Sequence, residues 1–173
     1  MLSFIIPTLN EHQTIERTLR CLSADSADHE IIVSDGNSSD DTVEICRRFT
    51  DRIVVHEEPR RQTIAEARNA GAAAARGNHL VFVDADVLVP DIDDFFRIAL
   101  DVFRADDRVV ALTGRYRVHP ETATAADKYV FTMLGLQFWL QNNLLGIGGS
   151  GGEFQMITAD AFRELGGFDE SLT

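Results

Sequence analysis

The triplet Asp84-Ala85-Asp86 directly follows the apolar run His79–Val83. In an extended segment residues i and i+2 point to the same side, so both carboxylates can face one hard cation or the waters around it. A carboxylate ending an apolar strand also carries a desolvation cost unless something offsets it, which sets Asp84 apart. A second triplet, Asp91-Ile92-Asp93, opens a helical pattern, where a capping carboxylate near the helix dipole accounts for it. In a chain this rich in aspartate, roughly one or two such triplets arise by chance, so spacing alone leaves a cation site and a solvated pair both open. Asp35 lies at the end of another apolar run, in Asp35-Gly36-Asn37-Ser38-Ser39-Asp40-Asp41-Thr42. Its carboxylate can accept hydrogen bonds from a base or ribose edge, while Ser39 to Thr42 suit the start of the next helix. Arg68, in Ala67-Arg68-Asn69-Ala70-Gly71, offers a guanidinium able to neutralise a diphosphate. Arg60 and Arg61 form a second pair with that capacity, or simply a solvated loop.

Other chemistries lack their residues. The first apolar run leads into Pro7-Thr8-Leu9-Asn10-Glu11-His12, with no Gly-x-Gly-x-x-Gly to bring a pyrophosphate onto a helix N-terminus. Gly146–Gly152 is glycine-rich, but no Lys-Ser/Thr follows it, so it reads as a loop and not a P-loop. His12, His29, His56, His79 and His119 show no ligand spacing, and no nucleophile elbow accompanies them. Cys21 and Cys46 each sit within an apolar helical pattern and are expected to be buried free thiols.

The elements that must position these groups alternate regularly. Ser3–Ile6, Glu30–Ser34, Ile53–Val55, His79–Val83 and Val109–Thr113 read as short strands. Between them fall helices with Ile15, Leu19 and Leu22, with Val43, Cys46 and Phe49, with the small-residue face of Thr63–Ala75, and with Phe95, Phe96, Ala99 and Phe103 inward on Asp91–Arg104. That rhythm predicts an α/β fold: a mostly parallel sheet flanked by helices on both faces. Open parallel sheets bind ligands beyond the carboxyl ends of their strands. Pro7–Glu11, Asp35-Gly36 and Asp84–Asp86 all lie at such ends and are expected to converge on one edge. After Gly114 the rhythm breaks. Thr124–Asn142 predicts a long helix, Gly146–Gly152 a loop, Phe154–Thr158 a returning strand and Ala159–Leu165 a short helix before Gly166-Gly167.

The 173 residues suit one domain. Asp+Glu total 28 against Lys+Arg 16, a formal charge of −12, which excludes a nucleic-acid-binding surface. Lys128 is the single lysine and aspartates outnumber glutamates 17 to 11, a composition expected of a surface that must stay hydrated at high salt. The N-terminus enters Leu2-Ser3-Phe4-Ile5-Ile6 with no basic segment ahead, so a cytoplasmic location is expected.

Taken in order, Phe4-Ile5-Ile6-Pro7-Thr8-Leu9-Asn10-Glu11, Ile32–Thr42, Ala67–Gly71, Gly77–Asp86 and Gly166-Gly167-Phe168-Asp169-Glu170 resemble the inverting family 2 glycosyltransferases of GT-A fold. The resemblance spans nearly the whole chain. It implies that Pro7, Thr8, Glu11 and Asp35 line the nucleotide pocket, with Asp35 on the base, and that Arg68 lies beside the nucleotide and its phosphates. Asp84 and Asp86 would be the DxD motif, holding Mg²⁺ or Mn²⁺ against the diphosphate of a UDP- or GDP-sugar. The implied reaction is sugar transfer with inversion to a carbohydrate hydroxyl, a lipid or a lipid phosphate. A non-catalytic nucleotide-sugar-binding remnant, or a nucleotidyltransferase, is the alternative. In the family the base resembles an aspartate of a Glu-Asp pair some residues beyond Gly-Gly-Phe-Asp-Glu. The chain ends at Leu172-Thr173 before such a pair, so no catalytic base is expected within it, and 115–173 would be an incomplete acceptor half after a nucleotide-sugar-binding half, 1–114. Tyr129 to Gly152 carries no charge. Its polar Gln137, Gln141, Asn142 and Asn143 disfavour a spanning helix, leaving a sheet-covering helix or contact with a membrane surface through 129–152.

Overall fold

The computed structural model describes residues 1–115, 117–118, 123–147, 149 and 151–171. His119, Gly148, Ser150, Leu172 and Thr173, named above, lie outside the described residues. Along the chain run β1 (Leu2–Thr8), α1 (Ile15–Leu22), β2 (His29–Asp35), α2 (Thr42–Cys46), β3 (Ile53–Val55), α3 (Ile64–Ala74) and β4 (His79–Val83). They are followed by α4 (Ile92–Ala105), β5 (Ala111–Thr113), α5 (Ala125–Asn143), β6 (Phe154–Thr158) and α6 (Ala159–Leu165). The six strands form one sheet in the order β3-β2-β1-β4-β6-β5. β1 is parallel to β2 and β4, and β2 to β3, as the alternating pattern predicts. β6 returns antiparallel to β4, with Val83 opposite Phe154. The sheet is therefore mixed but mostly parallel.

The core is built on the central strands. Phe4, Ile5, Ile6, Ile32, Val33, Val81, Phe82 and Val83 are buried, the near-continuous apolar pattern of strands covered on both faces. Ile5, Ile32, Leu80 and Phe82 pack with Ala159 and the edges of Ala72, Ala74, Phe162 and Phe168. Phe4 instead meets Phe96 edge-on at 5.1 Å, and Phe95 meets Phe154 at 5.3 Å, so α4 is joined to both β1 and β6. Gly71 lets α3 approach this closely: a Cβ there would lie 2.5 Å from Ile5 Cγ2. Thr63 and Glu66 start α3 with a reciprocal capping box.

Two compact units result, Met1–Leu112 with Glu153–Thr173, and Thr113–Gly152. Within the second, Thr124 and Asp127 cap α5 reciprocally, and Asn142 makes paired hydrogen bonds with the backbone of Gly149, Nδ2 donating at 2.8 Å and Oδ1 accepting at 2.7 Å. α5 buries none of its residues, and Tyr129, Val130, Met133, Leu136 and Trp139 are exposed on it. No helix among the described residues is long and apolar enough to cross a membrane.

Some local expectations are corrected. α2 ends at Cys46, leaving Phe49 in the following turn, half-buried. Cys46 is buried, and burial pushes its thiol up to about 12, but Cys21 is only partly covered and its Sγ donates to the Val89 carbonyl at 3.3 Å. Asp91 occupies the position before α4, yet in a left-handed conformation (φ 47°) and without a side-chain capping bond. Its neighbour Asp93 accepts from the Ser26 N–H at 2.7 Å instead, tying α4 to the turn after α1.

Candidate functional site

β1 pairs with β4 only from Leu2 to Ile5, while its pairing with β2 continues to Thr8 and Asp35. Pro7, which has no N–H to give a ladder, falls where the β4 partner has gone. The strands diverge there, and Thr8 and Asp35 meet at the edge. Thr8 Oγ1 donates to Asp35 Oδ2 at 2.9 Å, and Ser38 donates to both carboxylate oxygens, from N–H at 2.8 Å and from Oγ at 2.6 Å. Asp35 is fully buried, and these donors offset the cost of burying its charge. With about four acceptor positions on a carboxylate, room for one more donor remains.

The loops after β1 and β2 lock together. Asn10 and Asn37 take left-handed conformations (φ 58° and 70°), which asparagine tolerates. Asn10 N donates to Ser38 Oγ at 2.8 Å, Ser39 N to Asn10 Oδ1 at 2.9 Å, and Glu11 N to Thr42 Oγ1 at 2.8 Å. The Ser39–Thr42 segment, expected to cap α2, thus mainly clasps the neighbouring loop, and Asp41 makes no side-chain cap. Against the upward push of burial, Thr42 and the His12 ring hold the Asp40 carboxyl down at about 2. Glu11, half-buried, accepts from the Thr14 hydroxyl at 2.8 Å.

Asp84 and Asp86 are brought to the same edge, though not by an extended backbone. A turn begins at Asp84, with Val87 N donating to its carbonyl at 3.1 Å, and Thr18 Oγ1 of α1 holds the Ala85 carbonyl at 2.8 Å. Asp86 is exposed while Asp84 is partly covered. Arg68 reaches from α3, its Nη2 2.8 Å from Asp84 Oδ1, with side-chain exposures of 8% and 26% that put this pair well out of bulk water. Burial raises the Asp84 carboxyl, Arg68 opposes that, and the charges of Asp86 and Glu153 add to it. Arg68 therefore contacts an acid of the site directly. Arg60 is taken up by Glu66 at 2.7 and 2.9 Å and by Glu58 at 2.7 Å, as the solvated-loop alternative has it.

Glu153 was not foreseen. Its carbonyl accepts from Asp84 N at 3.0 Å, and its buried Oε2 makes no hydrogen bond among the described residues. The available signal was that it is the first charge after the uncharged stretch. No group of three or more His, Cys, Asp or Glu is assembled for a metal among the described residues. A cavity of about 500 Å³ lies elsewhere, lined by Ala72, Arg76, Leu80, Phe162 and Arg163, and Asp35, Asp84 and Asp86 take no part in it.

Residues 3–166 match the family model described as glycosyl transferase family 2. The chain belongs to that family. Among its relatives is validoxylamine A glucosyltransferase of Streptomyces hygroscopicus subsp. limoneus, 37% identical over 94 residues, 51% of this chain and 21% of that protein. The succinoglycan biosynthesis protein ExoA of Rhizobium meliloti is 28% identical over 195 residues, 98% of this chain and 53% of that one. The family 2 chain thus spans between about a fifth and a half of the length of these relatives. In fold it resembles the mannosyltransferase PcManGT of Pyrobaculum calidifontis, solved with GDP-Man and Mn²⁺, with TM-score 0.72 and 24% identity over 98% of this chain and 47% of that one. The mostly parallel sheet with flanking helices is thus the GT-A-like architecture of family 2 glycosyltransferases.

Proposed function

We propose that this chain binds a nucleoside-diphosphate sugar, GDP- or UDP-linked, at the carboxyl edge of β1, β2 and β4, for inverting transfer of the sugar to an acceptor hydroxyl or lipid phosphate. The observation that carries the reading is the convergence of the Thr8–Asp35 pair, the Arg68–Asp84 pair and Asp86 on that edge. Pro7, Thr8 and Glu11 form the wall for the nucleoside, and Asp35, fully buried behind Thr8 and Ser38, must be uncovered to accept from the base through its remaining lone pair. Arg68 lies beside the diphosphate and opposes the upward push of burial on the Asp84 carboxyl.

Asp84 and Asp86 fit a divalent cation of the Mg²⁺ or Mn²⁺ type. Such ions accept hard oxygens, and in phosphate-transfer sites use one or two carboxylates plus substrate phosphates, not an all-protein cage. Asp84, partly covered, and Asp86, exposed, supply two such carboxylates within one turn. When bound, the ion stabilises the negative charge that develops on the departing nucleoside diphosphate.

No residue of this chain is assigned as the base that takes the acceptor proton. Asp169 serves the turn instead, its Oδ1 accepting from the Ser171 hydroxyl at 2.6 Å and the Ser171 N–H at 2.9 Å. The exposed apolar residues of α5 supply a surface for a lipid-linked acceptor or for membrane contact.

Calorimetry with GDP-mannose and UDP-glucose, with and without Mn²⁺, tests the reading. Binding by the native chain should depend on Mn²⁺, and Asp84→Asn or Asp86→Asn should weaken it by about tenfold or more, the scale of one lost charge-assisted contact. Metal-independent binding, or none to either donor, refutes it.

A further inference from the structure

Two sequence segments that the proposed chemistry leaves unused, Asn69 beside Arg68 and the turn Gly166-Gly167-Phe168, meet in space. α6 ends in consecutive left-handed glycines, φ 80° at Gly166 and 84° at Gly167, and these swing the chain back over the sheet. There the Asn69 side chain hydrogen-bonds Phe168 as a peptide group would: Nδ2 donates to the Phe168 carbonyl at 2.9 Å, and Oδ1 accepts from the Phe168 N–H at 2.9 Å. Nδ2 also donates to Glu170 Oε1 at 2.8 Å. A Cβ on Gly167 would lie 2.7 Å from Asn69 Oδ1, so only glycine leaves room for this clasp.

The clasp fixes a ring. Phe168 packs edge-on against Phe82 of β4 at 4.9 Å and against Phe162 of α6 at 5.6 Å. The Arg68 guanidinium lies 5.4 Å from its centroid, within reach of a cation–π contact, while its Nη2 holds Asp84. An arginine has several rotatable bonds, and an ion pair fixes only its tip. The ring limits how far the guanidinium can swing and shields it from water, which strengthens its hold on Asp84.

We propose that Phe168 and Asn69 are positioning residues of the donor site, setting the Arg68 guanidinium and through it the Asp84 carboxylate from a turn that touches neither the nucleotide nor the metal. This deepens the functional reading above and rests on it for the effect on donor binding, but the contact itself is independent of that reading.

The test joins NMR of the Arg68 side chain with calorimetry of GDP-mannose and UDP-glucose in Mn²⁺. In the native chain the ring current of Phe168 should displace the Arg68 side-chain protons. Phe168→Leu should abolish that displacement and weaken binding of whichever donor the native chain takes by about fivefold, while Phe168→Tyr keeps both. Asn69→Ala leaves the aromatic cluster intact and should give a smaller change of the same sign, so it serves if Phe168→Leu does not fold. In an Arg68→Ala background, Phe168→Leu and Asn69→Ala should cost no further affinity. Undiminished losses in that background, or variants that bind as the native chain does, overturn the positioning role. A native chain that binds neither donor refutes the functional reading instead, and the ring-current displacement then decides the positioning: its absence overturns it.

Discussion

Asp40 illustrates how a single short side chain carries the edge of the sheet. It receives the N–H and hydroxyl of Thr42 and the ring of His12, joining the loops after β1 and β2. Its folded-state carboxyl is depressed from 3.8 to about 2, so the stability it contributes is present above pH 3.8 and is lost as pH falls toward 2. Thermal melts of Asp40→Asn should therefore start from a lower midpoint near neutrality and converge on the native chain toward pH 2; a constant offset would exclude the linkage. At this scale the sequence showed Asp35, Asp84 and Asp86, because carboxylates that end apolar runs stand out against their surroundings. It showed Arg68 only as a cation near an acidic crevice. That Arg68 holds Asp84, and that Phe168 and Glu153 lie beside it, depends on contacts between positions far apart in the chain, which spacing cannot report.

At the scale of elements, α3 has alanines where a larger helix face would hold it off the sheet. Gly71 is the tightest point, facing Ile5. Gly71→Ala raises helix propensity by about 1 kcal/mol, yet should lower stability by about 1–3 kcal/mol because the new methyl overpacks against Ile5. Denaturant unfolding measures the difference, and a more stable variant would show that α3 can shift outward at no cost. The positions of the strands and helices were legible because burial on both faces and 3.6-residue periodicity write themselves into the local pattern. The direction of β6 was not legible. An apolar run pairs as well in either sense, and only the path of the preceding chain decides that Phe154 lies opposite Val83. Asp84–Asp86 departs from the extended geometry for a related reason: the turn is pinned by Thr18, a residue of α1.

For the molecule as a whole, the net charge of −12 leaves a surface whose repulsion salt should relieve. The melting temperature should rise between low and molar KCl; a flat or falling curve would count against an adaptation to high salt. Family 2 membership and the GT-A-like sheet place the chain among glycosyltransferases; most of its acid lies away from the strand-end edge, some of it paired on the surface with arginines such as Arg97 and Arg104. The sequence by itself determined the α/β class, the strand ends that carry Asp35, Asp84 and Asp86, and the family, because each is written in local pattern and order. The tertiary structure decided which of these groups touch. It buried Asp35 beneath Thr8 and Ser38, set Arg68 against Asp84, and brought the Phe168 turn back onto α3. Such contacts depend on how the chain closes on itself, since the donors, rings and counter-charges that fix each side chain come from other elements.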